Sequence, residues 1–140
     1  MDSLSLNRSP CFGYCPTYRL TIRANGLLTF EQGDSVFVDS IPPRDFGWLA
    51  ERATASGFFK LPMVIAQDRR LCPIEATDHS TVTVVIYRRD SLTRVVDYLG
   101  CYSGNDLSVV APVGQLRHFE NQIDSVAHSA RWIRNRFKER

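Results

Sequence analysis

No apolar run in this 140-residue chain approaches the ~18 residues that a membrane-spanning helix requires, so no membrane span is expected. A large excess of charge of either sign is missing as well. Lys plus Arg number 17 against 15 Asp plus Glu, and a net of +2 is too small to imply a nucleic-acid or membrane-surface partner. Histidine is limited to His79, His118 and His128, whose spacing completes no metal site. The nucleophile elbow G-x-S-x-G, a glycine-rich phosphate loop and the H-E-x-x-H helix are all absent. An enzyme reading therefore has no anchor, and no cofactor is called for. Internal repeats and low-complexity stretches are absent too. The opening Met1-Asp2-Ser3-Leu4-Ser5-Leu6 lacks the positive and apolar regions of a signal peptide. The expectation is a periplasmic or secreted domain if a leader was removed, and a cytoplasmic one otherwise.

What the chain contains fits a single domain over residues 1–140. Its hydrophobic share of 44% and charged share of 23% match globular averages, and its length suffices to bury one sizeable core. Arg131, Arg134, Arg136, Lys138 and Arg140 gather positive charge at the C-terminus, where a solvated helix end is the simplest reading.

Tyr18, Leu20 and Ile22 alternate with Arg19, Thr21 and Arg23, the period of a strand with one face on a core. Asn25-Gly26 tolerates a tight turn, and Leu28 and Phe30 resume the alternation, so residues 17–32 read as a β-hairpin. Gly33-Asp34 turns into a third strand carrying Val36 and Val38, and Ser3 to Arg8 adds a short one. After Pro42-Pro43, Phe46, Leu49, Ala50 and Ala53 recur at helical spacing up to Gly57, with Phe58, Phe59 and Leu61 folding back. Residues 62–78 show no period, and loops of that length are uncommon and often functional.

The run Ser80 to Tyr87 is rich in β-branched residues and pairs through Arg89-Asp90-Ser91 with Leu92 to Leu99, after which Gly100 to Asn105 ends the sheet. From Val113 onward, Leu116, Phe119, Ile123, Val126, Ala127, Ala130, Ile133 and Phe137 form a helical stripe, either continuous or broken near Ser129. The fold class is therefore α+β: an antiparallel sheet of five or six strands, ordered meander, helix, hairpin, helix, with two helices packed on one face.

Cys11 and Cys15 are four apart, close enough for a disulfide, half of a zinc site or a redox pair. Zinc knuckles normally present two close pairs, whereas Cys72 and Cys101 are far apart in sequence, and thioredoxin-type pairs use C-x-x-C opening a helix, so both of those readings fit poorly. Local proximity favours Cys11 with Cys15, which leaves Cys72 to pair with Cys101 and anchor the long loop. A closed loop of that length is worth ~3 to 4 kcal/mol in the chain-entropy treatment.

The stretch Arg8-Ser9-Pro10-Cys11-Phe12-Gly13-Tyr14-Cys15-Pro16-Thr17-Tyr18-Arg19-Leu20-Thr21-Ile22, followed by Asn25-Gly26, resembles the opening of the bacterial DUF6438 family. Ile123-Asp124 with Arg131-Trp132 is similar to the family's C-terminal segment, so the likeness covers residues 4–133. The resemblance implies the fold and, through the leaders many relatives carry, an envelope location. It implies no reaction. Cys72 and Cys101 lie outside the family's pattern, which fits their pairing with each other.

The expected function is a non-enzymatic, disulfide-stabilised domain that binds a protein partner in the bacterial envelope. Its candidate surface comprises Phe12, Tyr14, Arg69, Arg70, Asp78 and Tyr102, because amphipathic aromatics and arginines favour interfaces. The alternatives are a thiol-redox or zinc-binding protein using Cys11 and Cys15, and an inhibitor or immunity-type protein.

Overall fold

The structure is a computed structural model and describes residues 1–11 and 15–134. Among the described residues the strands and α-helices are β1 Ser3–Arg8, β2 Tyr18–Arg23, β3 Leu27–Gln32, β4 Ser35–Ser40, α1 Pro43–Ala55, β5 Ile74–Glu75, β6 Thr81–Arg88, β7 Ser91–Tyr98, β8 Cys101–Tyr102 and α2 Ala111–Ala127. Six strands make one antiparallel sheet in the order β4-β3-β2-β1-β6-β7, and β5 pairs with β8 separately. The expected α+β class, antiparallel sheet and paired helices are all present.

Alternation decides which side of the sheet is buried. Leu4, Leu6, Leu20, Ile22, Leu28, Phe30, Val82, Val84 and Ile86 are fully buried on one face. Against them lie Phe46, Leu49 and Ala53 of α1 and Val113, Leu116, Phe119, Ile123 and Ala127 of α2, in one continuous core. Each of the Val, Leu, Ile and Phe side chains contributes about 1.5–3 kcal/mol by leaving water. The opposite face, carrying Ser3, Ser5, Thr21 and Thr29, lies outside this core.

β4 forms where Val36 and Val38 indicate, but its inward residue is Phe37, registered opposite Phe30. Val36 and Val38 are 60% and 65% exposed. Trp132 fixes this choice by stacking on Phe37 with ring centroids 5.6 Å apart, while Arg131 pairs with Asp39 at 2.8 Å.

The Asn25-Gly26 turn has a second duty besides reversing the chain. Gly26 sits at φ +90°, and a Cβ there would press into the carbonyl oxygen of Ile41, which packs directly behind it. Gly26→Ala should therefore cost about 2 kcal/mol, read as a shifted urea midpoint with an unchanged slope.

α2 ends at Ala127 although the apolar stripe runs on. His128 adopts a left-handed conformation, φ 52°, and a 3₁₀ turn over Ser129–Arg131 follows. The Ser129 hydroxyl donates to the Asp124 carboxylate at 2.7 Å, a side-chain bond that draws the chain out of the helix. Phe137, Arg136, Lys138 and Arg140 lie outside the described residues.

Candidate functional site

The 62–78 segment is a loop held at three places. Val64 bridges Val96 in parallel, and the Val96 N–H donates to the Met63 carbonyl at 2.7 Å, so the segment lines the edge of β7. A 3₁₀ turn covers Ile65–Gln67 and buries Ile65. Further on, β5 pairs with β8, and Cys72 is disulfide-bonded to Cys101 with Cα atoms 4.7 Å apart. Both sulfur-bearing residues are buried. The six-stranded sheet ends before Gly100, as expected, and within Gly100 to Asn105 the pair Cys101–Tyr102 forms a further strand that receives the loop.

Even so, part of the loop faces solvent: Gln67, Arg69 and Arg70 are exposed. Met63 is 61% exposed and Ile74 is 41% exposed. Pro62, Met63, Val64, Gln67, Asp68, Arg69 and Arg70 line an open concavity of about 590 Å³. Arg70 leans on Asp68 at 3.4 Å, while Arg69 is exposed and makes no ion pair among the described residues.

A second group gathers where the loop enters β6. The Tyr98 hydroxyl donates to the Ala76 carbonyl, and the His79 ring meets the rings of Tyr98 and Tyr102 edge-on at centroid distances of 6.2 and 5.7 Å. Asp78 precedes it in a left-handed turn, φ 66°. Gly100 lies beneath Tyr98, where a Cβ would come within 2.6 Å of the Ala76 oxygen. Ser9 and Thr81 exchange bonds at 3.0 and 2.9 Å, which ties the end of β1 to the start of β6 beside this group.

Under α2 runs a row of buried and half-buried charge. Register places Tyr18, Arg8, Val82 and Asp97 side by side across β2, β1, β6 and β7. Asp124, Glu120 and Arg117, spaced four and three apart on one side of α2, lie above them. Arg8 donates to the Asp124 carboxylate at 2.6 Å through Nη2 and at 3.1 Å through Nε, and the Tyr18 hydroxyl donates to the other oxygen at 2.6 Å. Burial, then the Asp124 charge, pushes the Tyr18 phenol well up. Burial opposes the Arg8 charge, but Asp124 and then Tyr18 outweigh it and raise the guanidinium further.

Asp97 is fully buried and Glu120 is 2% exposed. Arg117 donates to Asp97 Oδ2 at 3.4 Å and to the carbonyls of Tyr98 at 3.3 Å and Cys101 at 3.4 Å. Among the described residues, Asp97 Oδ1 and Glu120 Oε2 have no partner as carboxylates. One proton held by Glu120 and donated to Asp97 satisfies both oxygens at once, and Glu120 is raised well above the usual carboxylate range by burial, then by the Asp97 charge and the hydrogen bond to it.

Of the residues expected to form a surface, Arg69 and Arg70 share the concavity along β7, whereas Asp78 and Tyr102 flank His79. No hydrogen bond or ring contact joins the two groups among the described residues. Phe12 and Tyr14 lie outside those residues. Tyr98, Tyr102 and Trp132 are half-buried through packing. The sequence reading missed Asp97 and Glu120, although Glu120 stands inside the apolar stripe of α2 and Asp97 follows Val95 on the inward side of β7.

A two-layer α+β domain with both cysteine pairs oxidised is the class these features define. The chain belongs to the family described as Domain of unknown function (DUF6438), whose model matches residues 2–127. The match holds Arg8, Tyr18 and Asp124, which the fold joins in one network, and stops short of Arg131-Trp132, expected to belong to the family segment. No curated protein sequence matches the chain. Among the described residues, no helix is long and apolar enough to cross a membrane and no group of His, Cys, Asp and Glu is arranged to hold a metal.

Proposed function

We propose that this chain is a non-enzymatic binding domain of the bacterial envelope whose docking surface is the 62–70 part of the tethered loop. The observation that carries the reading is the contrast between anchorage and exposure. The loop is fixed to β7 and β8 by a bridge, a two-stranded sheet and a buried disulfide, yet it holds Met63 in solvent beside Arg69 and Arg70. A rigid loop loses little conformational entropy on binding, and a Met beside arginines suits a partner protein that offers carboxylates around an apolar side chain. The two disulfides favour an oxidising compartment, in keeping with an envelope location. Pairing of Cys11 with Cys15 occupies the sulfurs that a zinc site would need.

Arg69→Glu with Arg70→Glu should abolish capture of that partner from envelope extract, a drop of about a hundredfold or more, while the thermal midpoint stays within a few degrees. Capture unchanged by this charge reversal overturns the loop as the docking surface.

A further inference from the structure

We propose that the buried Asp97 and Glu120 pair couples the pH of the compartment to the seat of the binding loop, with Arg117 as the link. The inference rests on the loop being the docking surface, and its geometry is independent of any partner.

Three carboxyl groups, Asp97, Glu120 and Asp124, share the space under α2 with two guanidinium groups, Arg8 and Arg117. With one proton on Glu120 the row is balanced, two negative charges against two positive, and the two unpartnered oxygens satisfy each other. Loss of that proton leaves a third negative charge in a site that water scarcely reaches. Arg8 is already committed to Asp124 and Tyr18. Arg117, held only by longer bonds of 3.3–3.4 Å, is therefore the cation placed to respond. The groups facing Glu120 are Asp97 from β7, Arg8 from β1 and Arg117 from its own helix, with Tyr18 of β2 and Asp124 beyond Arg8. α1 contributes apolar Phe46, Leu49 and Ala53 to this core, and its Arg52 lies with His118 in the groove between the helices.

Arg117 also holds the carbonyls of Tyr98 and Cys101, the two ends of the tight connection from β7 into β8. A guanidinium drawn toward a doubly charged Asp97 and Glu120 releases those carbonyls. They lie beside the disulfide and the β5–β8 pairing that seat the loop. The direction is fixed by linkage. A carboxyl whose folded-state titration is raised stabilises the closed form fully below its ordinary value, and the contribution is lost as pH rises through the raised value.

The test is amide hydrogen exchange at Ile74, Ala76 and Tyr102 in the full chain, without partner, between about pH 4 and pH 9. After correction for intrinsic exchange, wild-type protection should fall about tenfold per pH unit from the ordinary carboxyl range up to the titration point of Glu120, then level off. Glu120→Gln, which keeps a donor toward Asp97 and cannot ionise, should hold its protection flat across the range. An equal pH dependence in Glu120→Gln overturns the coupling. Carbon NMR of the wild-type Glu120 carboxyl supplies the check that needs no variant, and titration in the ordinary carboxyl range also overturns it. Failure of the docking reading alone would appear as intact pH coupling together with undiminished capture by the Arg69→Glu, Arg70→Glu chain.

Discussion

Asp124→Ala lowers stability by about 3 kcal/mol and the thermal midpoint by roughly 10 °C. Asp124 is where the polar contacts of β1, β2 and the turn after α2 meet. Its carboxylate accepts two bonds from Arg8, one from Tyr18 and one from Ser129. Arg8 and Asp124 keep only 17% and 20% of their side chains exposed, so the charge left on Arg8 is poorly solvated once its partner is gone. The carboxylate also lies in the last turn of α2, where the helix dipole disfavours it, and Arg8 offsets that penalty. Tyr18→Phe removes the donor to Asp124 and the acceptor for Arg8 Nε while leaving the ion pair, and should cost about 1–2 kcal/mol, so the two variants compared by urea denaturation separate loss of the ion pair from loss of the hydroxyl's two bonds.

Cys72→Ala with Cys101→Ala should cost about 3–4 kcal/mol, against about 2 kcal/mol for Cys11→Ala with Cys15→Ala. The two bonds span sequence separations of 29 and 4, and the constraint on the unfolded chain grows with the logarithm of that span. Differential scanning calorimetry of both double variants gives the comparison. The larger bond also seats the loop, so its loss should free the 62–78 segment for limited proteolysis at temperatures where the sheet remains folded. Loss of the smaller bond should leave that segment protected.

Much of the fold was legible because its signals were local. The alternation from Tyr18 to Ile22, the Asn25-Gly26 turn and the β-branched run before Tyr87 each indicate one structure whatever surrounds them. β4 was legible as a strand but not in its facing, since Val36, Phe37 and Val38 are apolar on both parities and a distant Trp132 makes the selection. The stop at His128 was half-legible: the stripe gave no reason for it, and Ser129 bonding Asp124 did. Cysteine pairing followed from proximity and elimination, and both predicted bonds are present.

The candidate site was legible as a place and not as an arrangement. Length marked residues 62–78, but the bridge to Val96 and the β5–β8 pairing are non-local and carry no periodic signal. Asp97 and Glu120 were hidden differently. Each occupies a position where a pattern calls for an apolar residue, and a pattern search passes over such exceptions although a buried acid is the more informative observation.

Photo-crosslinking in cells of the source organism places the docking surface most directly. A photoreactive side chain at position 63 should give one discrete adduct that disappears with Arg69→Glu, Arg70→Glu, while the same group at Thr21, on the opposite face of the sheet from the core, gives none. Adducts from Thr21 that match those from position 63, or an adduct at 63 that survives the charge reversal, would contradict a loop-borne binding site.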